Sequence, residues 1–310
     1  VRIHRLAIAT TVAALFGVAA PFAAQAAQAP QSAHPAADTA HQVAAHRAAK
    51  PPKSAVLFGL SDHWEPQMEA DDRQLGVRSG IVGTFFEWDT VKASSIVNYA
   101  NWANSRKAIP MVDLYPRTTV SLASIAAGSQ DRYLIADAKA LHTWNHPFMF
   151  RLFPEMNGPW ESYAPGQHGN TSKQFVAAWR HVYRLFQRYH AKKVVFVWNP
   201  DKEFAGQQVS FRRLWPGRKF VDWVGLDLYN SNDTAHGSFP SANNAMAQSV
   251  KDIRKLTHKP LIVAEIGVAN FAGKGRWIKR ALSRMSRVGV KAVVWFNEIQ
   301  QSNWRLDSSS

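Results

Sequence analysis

Glu155 and Glu265 stand 110 residues apart, and each follows a short apolar run. Met149-Phe150-Arg151-Leu152-Phe153-Pro154 leads into the first, and Leu261-Ile262-Val263-Ala264 into the second. If both runs are strands of one parallel sheet, both carboxyl groups reach the same rim. Two carboxyl groups on one cleft divide acid–base work between them. One, protonated, assists a leaving oxygen; the other, ionised, attacks or stabilises an oxocarbenium-like centre. Phe153 and Met156 beside Glu155 are expected to disfavour its charged form, which suits the acid. The plainer alternative is a pair of buried carboxylates neutralised by Arg or Lys, which fits one glutamate better than both.

Around these two lie residues suited to holding a sugar. Trp64, Trp88, Trp160, Trp198 and Trp295 each fall at or just beyond the end of an apolar run. Sugar rings stack their C–H faces on aromatic rings, while amides and hydroxyls take the sugar hydroxyls. Arg151 and Asn157, flanking Glu155, are polar candidates for such contacts. Tyr229, at the end of another apolar run, is expected to place its hydroxyl on Glu265 and hold it oriented and ionised; simple packing is its alternative role.

The positioning elements follow from periodicity. Eight apolar runs recur: Ala55–Leu60, Ile81–Phe86, Ile109–Leu114, Phe148–Phe153, Val194–Trp198, Val221–Leu228, Leu261–Ala264 and Val290–Phe296. Most are near-continuous, as in parallel strands covered on both faces. Between them, Phe175, Trp179, Val182, Phe186 and Tyr189 step by four, three, four and three, a stripe on one helix face. Met246, Val250 and Ile253, and Ile96, Tyr99 and Trp102, repeat it. Eight alternating strand–helix units predict an α/β fold, a (β/α)8 barrel with its active site at the carboxyl ends of the strands. A doubly wound open sheet is the alternative. The turn after the first run, Gly59-Leu60-Ser61-Asp62-His63-Trp64, lacks the glycine pattern that would cradle a phosphate.

The chain of 310 residues divides into three. Arg2, His4 and Arg5 precede an apolar run from Leu6 to Ala24, and small residues follow, so 1–26 reads as a secretory signal peptide. A membrane anchor is the competing reading, but Pro21 breaks the run and no later run is of spanning length. Residues 27–53, rich in Ala, Pro, Gln and His, read as a disordered linker. His34, His41 and His46 within it are weak candidates for a metal tract. Residues 54–310 form one catalytic domain of a size usual for a barrel. Without any cysteine, an exported domain relies on its core rather than on disulfides. The net charge is +15, from 37 basic and 22 acidic residues. Basic residues gather in two stretches, Lys274, Arg276, Lys279, Arg280, Arg284, Arg287 and Lys291, and Lys173, Arg180, Arg184, Arg188, Lys192 and Lys193. Nucleic acid would suit such charge. No nucleic-acid motif accompanies it, so these read as solvated helix faces with some attraction to anionic surface polymer.

The block Arg151-Leu152-Phe153-Pro154-Glu155-Met156-Asn157-Gly158-Pro159-Trp160 resembles the acid/base motif of glycoside hydrolase family 26, which includes the β-mannanases. Trp215-Pro216-Gly217, Val221-Asp222-Trp223-Val224-Gly225-Leu226-Asp227 and Tyr229-Asn230 resemble its sixth-strand block. Ala264-Glu265-Ile266-Gly267 resembles its nucleophile strand, and Trp295-Phe296-Asn297 with Trp304-Arg305 its closing strand. The resemblance implies a retaining mechanism through a covalent glycosyl-enzyme, with neither metal nor cofactor. It places acid/base on Glu155, nucleophile on Glu265, an orienting hydroxyl on Tyr229 and sugar platforms on Trp160 and Trp295. Pro154 departs from the histidine common before the acid/base residue, which puts rate and subsite preference in question.

The expected activity is therefore that of a secreted, extracellular, monomeric endo-β-glycanase acting on a plant-type polysaccharide, with β-1,4-mannan first. A β-1,3-1,4-glucanase or β-1,3-xylanase is the alternative within the family, and a non-catalytic polysaccharide-binding barrel the alternative outside it. The two carboxyl groups are expected about 5–5.5 Å apart, the spacing that leaves no room for an intervening water.

Overall fold

The computed structural model describes residues 56–62, 65–204, 206–207, 209–231 and 242–308. The predicted signal peptide and linker, their histidines, and Trp64 lie outside the described residues.

Eight parallel strands close into a barrel in sequence order: β1 (Leu57–Ser61), β2 (Ile81–Glu87), β3 (Ile109–Tyr115), β4 (Phe148–Leu152), β5 (Val194–Trp198), β6 (Trp223–Asn230), β7 (Leu261–Val268) and β8 (Val290–Phe296). β8 returns to β1 with Leu57 beside Ala292 and Ser61 beside Phe296. The helices α1 (Glu65–Leu75), α2 (Ala93–Ser105), α3 (Leu122–Ala126), α4 (Asp131–Trp144), α5 (Ser172–Arg188), α6 (Phe211–Leu214), α7 (Ala242–Leu256) and α8 (Lys274–Arg287) lie between the strands, with a 3-10 turn at Arg218–Phe220. All eight predicted strands and the three helical stripes form as expected, with ends displaced by a few residues.

Strand pleating sorts side chains into two cores. Ile81, Met111, Met149, Val195, Val197, Trp223, Ile262, Ala264, Ala292 and Val294 fill the barrel. Their neighbours in sequence, such as Val82, Val112, Phe150, Phe196, Val224 and Val293, face the helices. On α5, Phe175, Trp179, Val182 and Phe186 are all fully buried, which is what a four–three spacing produces on a cylinder of 3.6 residues per turn. Thr171 starts that helix with a capping box: its hydroxyl accepts from the Gln174 N–H and the Gln174 side chain answers the Thr171 N–H.

Candidate functional site

The inward positions nearest the carboxyl ends of the strands carry the polar residues. On β3, β4 and β6 the alternation that turns Met111, Met149 and Trp223 inward also turns in Asp113, Arg151 and Asp227. Glu265 needs more than alternation. Ile262 and Ala264 face the interior, so a regular strand would send Glu265 outward to the helices. A bulge intervenes: β6–β7 pairing jumps from Leu226 beside Val263 to Asp227 beside Glu265, and β7–β8 pairing slips between Val263 and Ile266. The extra residue puts Glu265 on the same side as Ala264.

Arg151 is the hub. It is 1% exposed, and its guanidinium pairs with Glu265 Oε1 at 2.6 Å, Asp227 Oδ2 at 2.6 Å and Asp113 Oδ2 at 3.1 Å. Burial works against its charge, but the three carboxylates more than offset this and hold its pKa well above the usual value. Arg151 was expected to touch substrate; it lies beneath the site instead, because its inward register leaves it nothing but carboxylates to meet. Tyr229 donates its hydroxyl to Glu265 Oε2 at 2.6 Å, as expected. Burial and the adjacent Glu265 push its pKa up, so it stays a phenol. Both oxygens of Glu265 are thus fixed by strong donors.

Glu155 leaves β4 through a strained turn. Phe153 (φ 48°) and Glu155 (φ 52°) both occupy the left-handed region, which costs about 1–2 kcal/mol per residue. The turn is pinned by Glu155 N–H donating to the Asn199 carbonyl at 2.8 Å and Tyr163 Oη donating to the Pro154 carbonyl at 2.6 Å. Such pinned strain directs one side chain against its neighbours' preferences: Phe153 dives into the helix-side core against Trp88, Tyr163 and Phe175. Met156 is buried in the same core. The apolar environment expected around the Glu155 carboxyl therefore forms on the far side of the strand. Its company is polar: Trp160 Nε1 donates to Glu155 Oε2 at 2.6 Å, and Asp201 and Asp227 are nearby. Burial raises Asp201 to about 7, with Lys202 opposing and Glu155 reinforcing. Burial also pushes Asp227 well up, Glu265 and Glu155 adding to it while Arg151 opposes.

One carboxylate oxygen from each of Glu155, Asp227 and Glu265 lies within 4.8 Å of the other two. The spacing alone would admit a cation, but Arg151 already supplies positive charge to Asp227 and Glu265.

The predicted platforms divide. Trp160 is 43% exposed, its ring lies 5.3 Å from that of Phe204, and it folds back over Gly158, where a Cβ would come within 2.3 Å of the indole. Trp88, Trp198 and Trp295 are corrections: all three are buried in the helix-side core. Trp88 donates to the Gln130 side chain, and Trp198 donates to the Leu214 carbonyl. Trp198 and Trp295 fall one residue past the inward Val197 and Val294, so the pleat turns them away. Asn157 is also a correction. Its Oδ1 accepts from Asp201 N–H, and its Nδ2 donates to the Asp201 carbonyl and Gln207 Oε1, so it ties two rim loops together. Lys274 leaves the basic face too: buried, it donates to Asn270, the Arg305 carbonyl and Ser308, and burial lowers its pKa to about 8.

Other residues take those places. Phe296, inward where Trp295 is outward, meets Phe85 and Tyr229 at ring distances of 6.1 and 5.8 Å. Trp304 lies 5.1 Å from Tyr229. Trp295 serves it indirectly by donating to the Trp304 carbonyl at 2.8 Å. The buried Trp304 indole N–H has no hydrogen-bond partner among the described residues. Asn199 donates to Asp227 Oδ2 at 2.7 Å and occupies space that any side chain at Gly225 would fill. Strict alternation within β3 and β6 would have found Asp113 and Asp227. Trp304 is marked by its place in the closing-strand motif, whereas no sequence signal marks Asn199 beyond its position just after β5.

A closed (β/α)8 barrel with two close carboxyl groups, one held by an arginine and a tyrosine and the other by an exposed tryptophan, defines a glycoside hydrolase type of site. The sequence profile of "Glycosyl hydrolase family 26" matches residues 70–280, and the chain belongs to that family. Endoglucanase H of Acetivibrio thermocellus is 30% identical over 241 residues, which cover 76% of this chain and 26% of that protein. The chain thus spans about a quarter of that relative. A β-1,3-xylanase of a Vibrio species is 25% identical over 111 residues, 36% of this chain and 23% of that one. Among solved structures, the catalytic domain of a Bacillus family 26 endo-β-1,4-mannanase aligns with a TM-score of 0.64 at 18% identity, covering 80% of this chain and 78% of that one. A modular endo-β-1,4-mannanase of Cellulomonas fimi aligns with a TM-score of 0.64 at 14% identity, covering 82% and 67%.

Proposed function

We propose that this family 26 glycosidase is a retaining endo-β-glycanase in which Glu265 is the nucleophile and Glu155 the acid/base. The single observation that carries the reading is the approach of their carboxylate oxygens to within 4.8 Å. Inverting pairs stand about 6.5–9.5 Å apart to admit a water between carboxylate and sugar. Here Glu265, fixed at both oxygens, attacks the anomeric carbon while Glu155 gives its proton to the leaving oxygen. A glycosyl-enzyme forms and the leaving chain departs. Glu155, now ionised, takes a proton from water, which displaces Glu265 with net retention. Trp160 holds a sugar face beside Glu155 and keeps that carboxyl aimed. Trp304, packed edge-on against Tyr229, shapes the sugar site on the nucleophile's side. Pro154 leaves the family's usual histidine contact unmade.

β-1,4-Mannan is the substrate we place first, because the family resemblance and the endo-β-1,4-mannanases among the similar folds agree on it. A β-glucan backbone is the second reading, favoured by the 30% identity to a protein named endoglucanase. That name belongs to a protein of which this chain spans only a quarter. Reducing ends released from mannan, glucomannan, mixed-linkage glucan and β-1,3-xylan decide between them. Proton NMR of the first product shows whether the anomeric configuration is kept. An inverted product would sink the mechanism, and binding of every glycan without cleavage of any would favour a non-catalytic barrel. Export with removal of residues 1–26, and a monomeric extracellular enzyme, are part of the same proposal. Amino-terminal sequencing and the elution volume of protein from culture medium check both. Among the described residues, no helix is long and apolar enough to cross a membrane.

A further inference from the structure

The proposed catalysis makes no use of the basic residues gathered at α5, α6 and the 3-10 turn before β6. Their centre is the ring of Phe220. The guanidinium carbons of Arg180 and Arg184 lie 5.1 Å from its centroid, and Lys219 Nζ lies 5.0 Å from it. The three cations are therefore at most about twice that distance from one another. Arg212, Arg213 and Arg218 extend the charge on exposed positions of the adjoining segments, and Arg188 continues it one turn along α5. No Asp or Glu occurs in α5, α6 or the turn. None of these cations forms an ion pair among the described residues. The acidic residue just beyond, Asp222, turns Oδ2 to the Phe196 N–H. Arg180 is held in place by Nε donating to the Pro216 carbonyl at 2.7 Å.

Like charges gathered without a counter-charge repel one another, and the face of one ring offsets only part of that repulsion. An anion laid across them gains from all three. Phe220 directly precedes Val221 and β6, so the patch lies near the amino end of that strand, away from the carboxylates at the other end. It is a second site and not an extension of the cleft.

We propose that this patch binds the carboxylate groups of an acidic polysaccharide, a polyuronate, and so tethers the enzyme while its cleft works on a neutral chain. Planar guanidinium groups match carboxylates, and the spread of charge over three segments suits a polymer better than a single ion. The choice of a polysaccharide as carrier of the charge rests on the glycan-hydrolase reading.

The test is retardation of the full chain in native gels containing polygalacturonate at low and high salt. Arg184→Gln/Lys219→Gln, which leaves the Arg180 tether intact, is compared with Arg276→Gln/Lys279→Gln on α8. Each variant removes two charges from exposed positions. The first is expected to weaken binding about tenfold at low salt and the second less than twofold, both losing the difference at high salt. Both should keep the wild-type melting temperature and hydrolysis of neutral glycan. Equal weakening by the two variants would show a net-charge effect, and no weakening by the first would show a different site. Either result overturns the proposal, as does no retardation of the wild type or tighter binding to polyphosphate or duplex DNA than to polyuronate. Failure to hydrolyse any neutral glycan would instead count against the proposed function and leave the binding result standing.

Discussion

Replacing Tyr229 by Phe removes one oxygen and keeps the ring. The lost hydroxyl is 2.6 Å from Glu265 Oε2, while the ring contacts with Phe296 at 5.8 Å and Trp304 at 5.1 Å remain available to phenylalanine. A hydrogen bond to a charged group contributes about 1.5–3 kcal/mol. If that is lost from the transition state alone, the rate falls between roughly tenfold and 150-fold. Arg151 still holds Oε1 at 2.6 Å, so the nucleophile turns more freely but stays in place, and the loss should stop well short of that for Glu265→Ala. Because the defect lies at the nucleophile, polysaccharide and an activated aryl glycoside should suffer alike. A defect in proton donation would spare the activated substrate. The assay is kcat and KM on both substrates, with a melting curve alongside. A fall below threefold, a fall confined to KM, or one confined to the polysaccharide would refute the assignment of Tyr229 to the nucleophile. A drop of many degrees in Tm would show that the hydroxyl serves packing.

Glu265→Ala should abolish hydrolysis of all substrates. Glu155→Ala should spare the first step on an aryl glycoside with a good leaving group, give a burst, and recover turnover with azide as a β-glycosyl azide. The same azide anomer from both variants, or near-normal polysaccharide hydrolysis by Glu155→Ala, would overturn the division of roles. Trp160→Ala should lower kcat/KM on polysaccharide at least tenfold with little change in Tm, whereas Trp88→Ala should cost about 3–5 kcal/mol of stability, as for a buried aromatic; melting and kinetics on the pair decide which indole is the platform. Asp137, 2% exposed on α4 with Oδ2 lacking a hydrogen-bond partner among the described residues, is raised by burial from 3.8 to about 7. A folded pKa above the unfolded one gives stability that is full below about pH 4 and lost as pH rises through about 7. Asp137→Asn should remove up to about 4 kcal/mol of that pH dependence, making the variant the more stable form at pH 8. Parallel loss of stability in variant and wild type between pH 4 and 8 would count against it.

Local pattern alone set much of this protein. Near-continuous apolar runs and four–three stripes are decided by which faces must be buried, so eight strands and the helix faces of α2, α5 and α7 were legible residue by residue. The glutamates were legible because each lies towards the carboxyl end of an apolar run, which a barrel brings to one rim. Orientation around the strand axis was not. Pleating has a period of two, so a single extra residue reverses a side chain. Trp198 and Trp295 sit one step past inward valines and were lost to the core, while Phe296 and Trp304 came to the site. Glu265 faces inward only because a bulge breaks the register of β7 against both neighbours. Arg151 became the partner of three carboxylates because β3, β6 and β7, far apart in sequence, each turn an acid onto it. Such meetings depend on barrel closure and strand register, which arise from pairing between distant segments and leave no mark in either segment by itself.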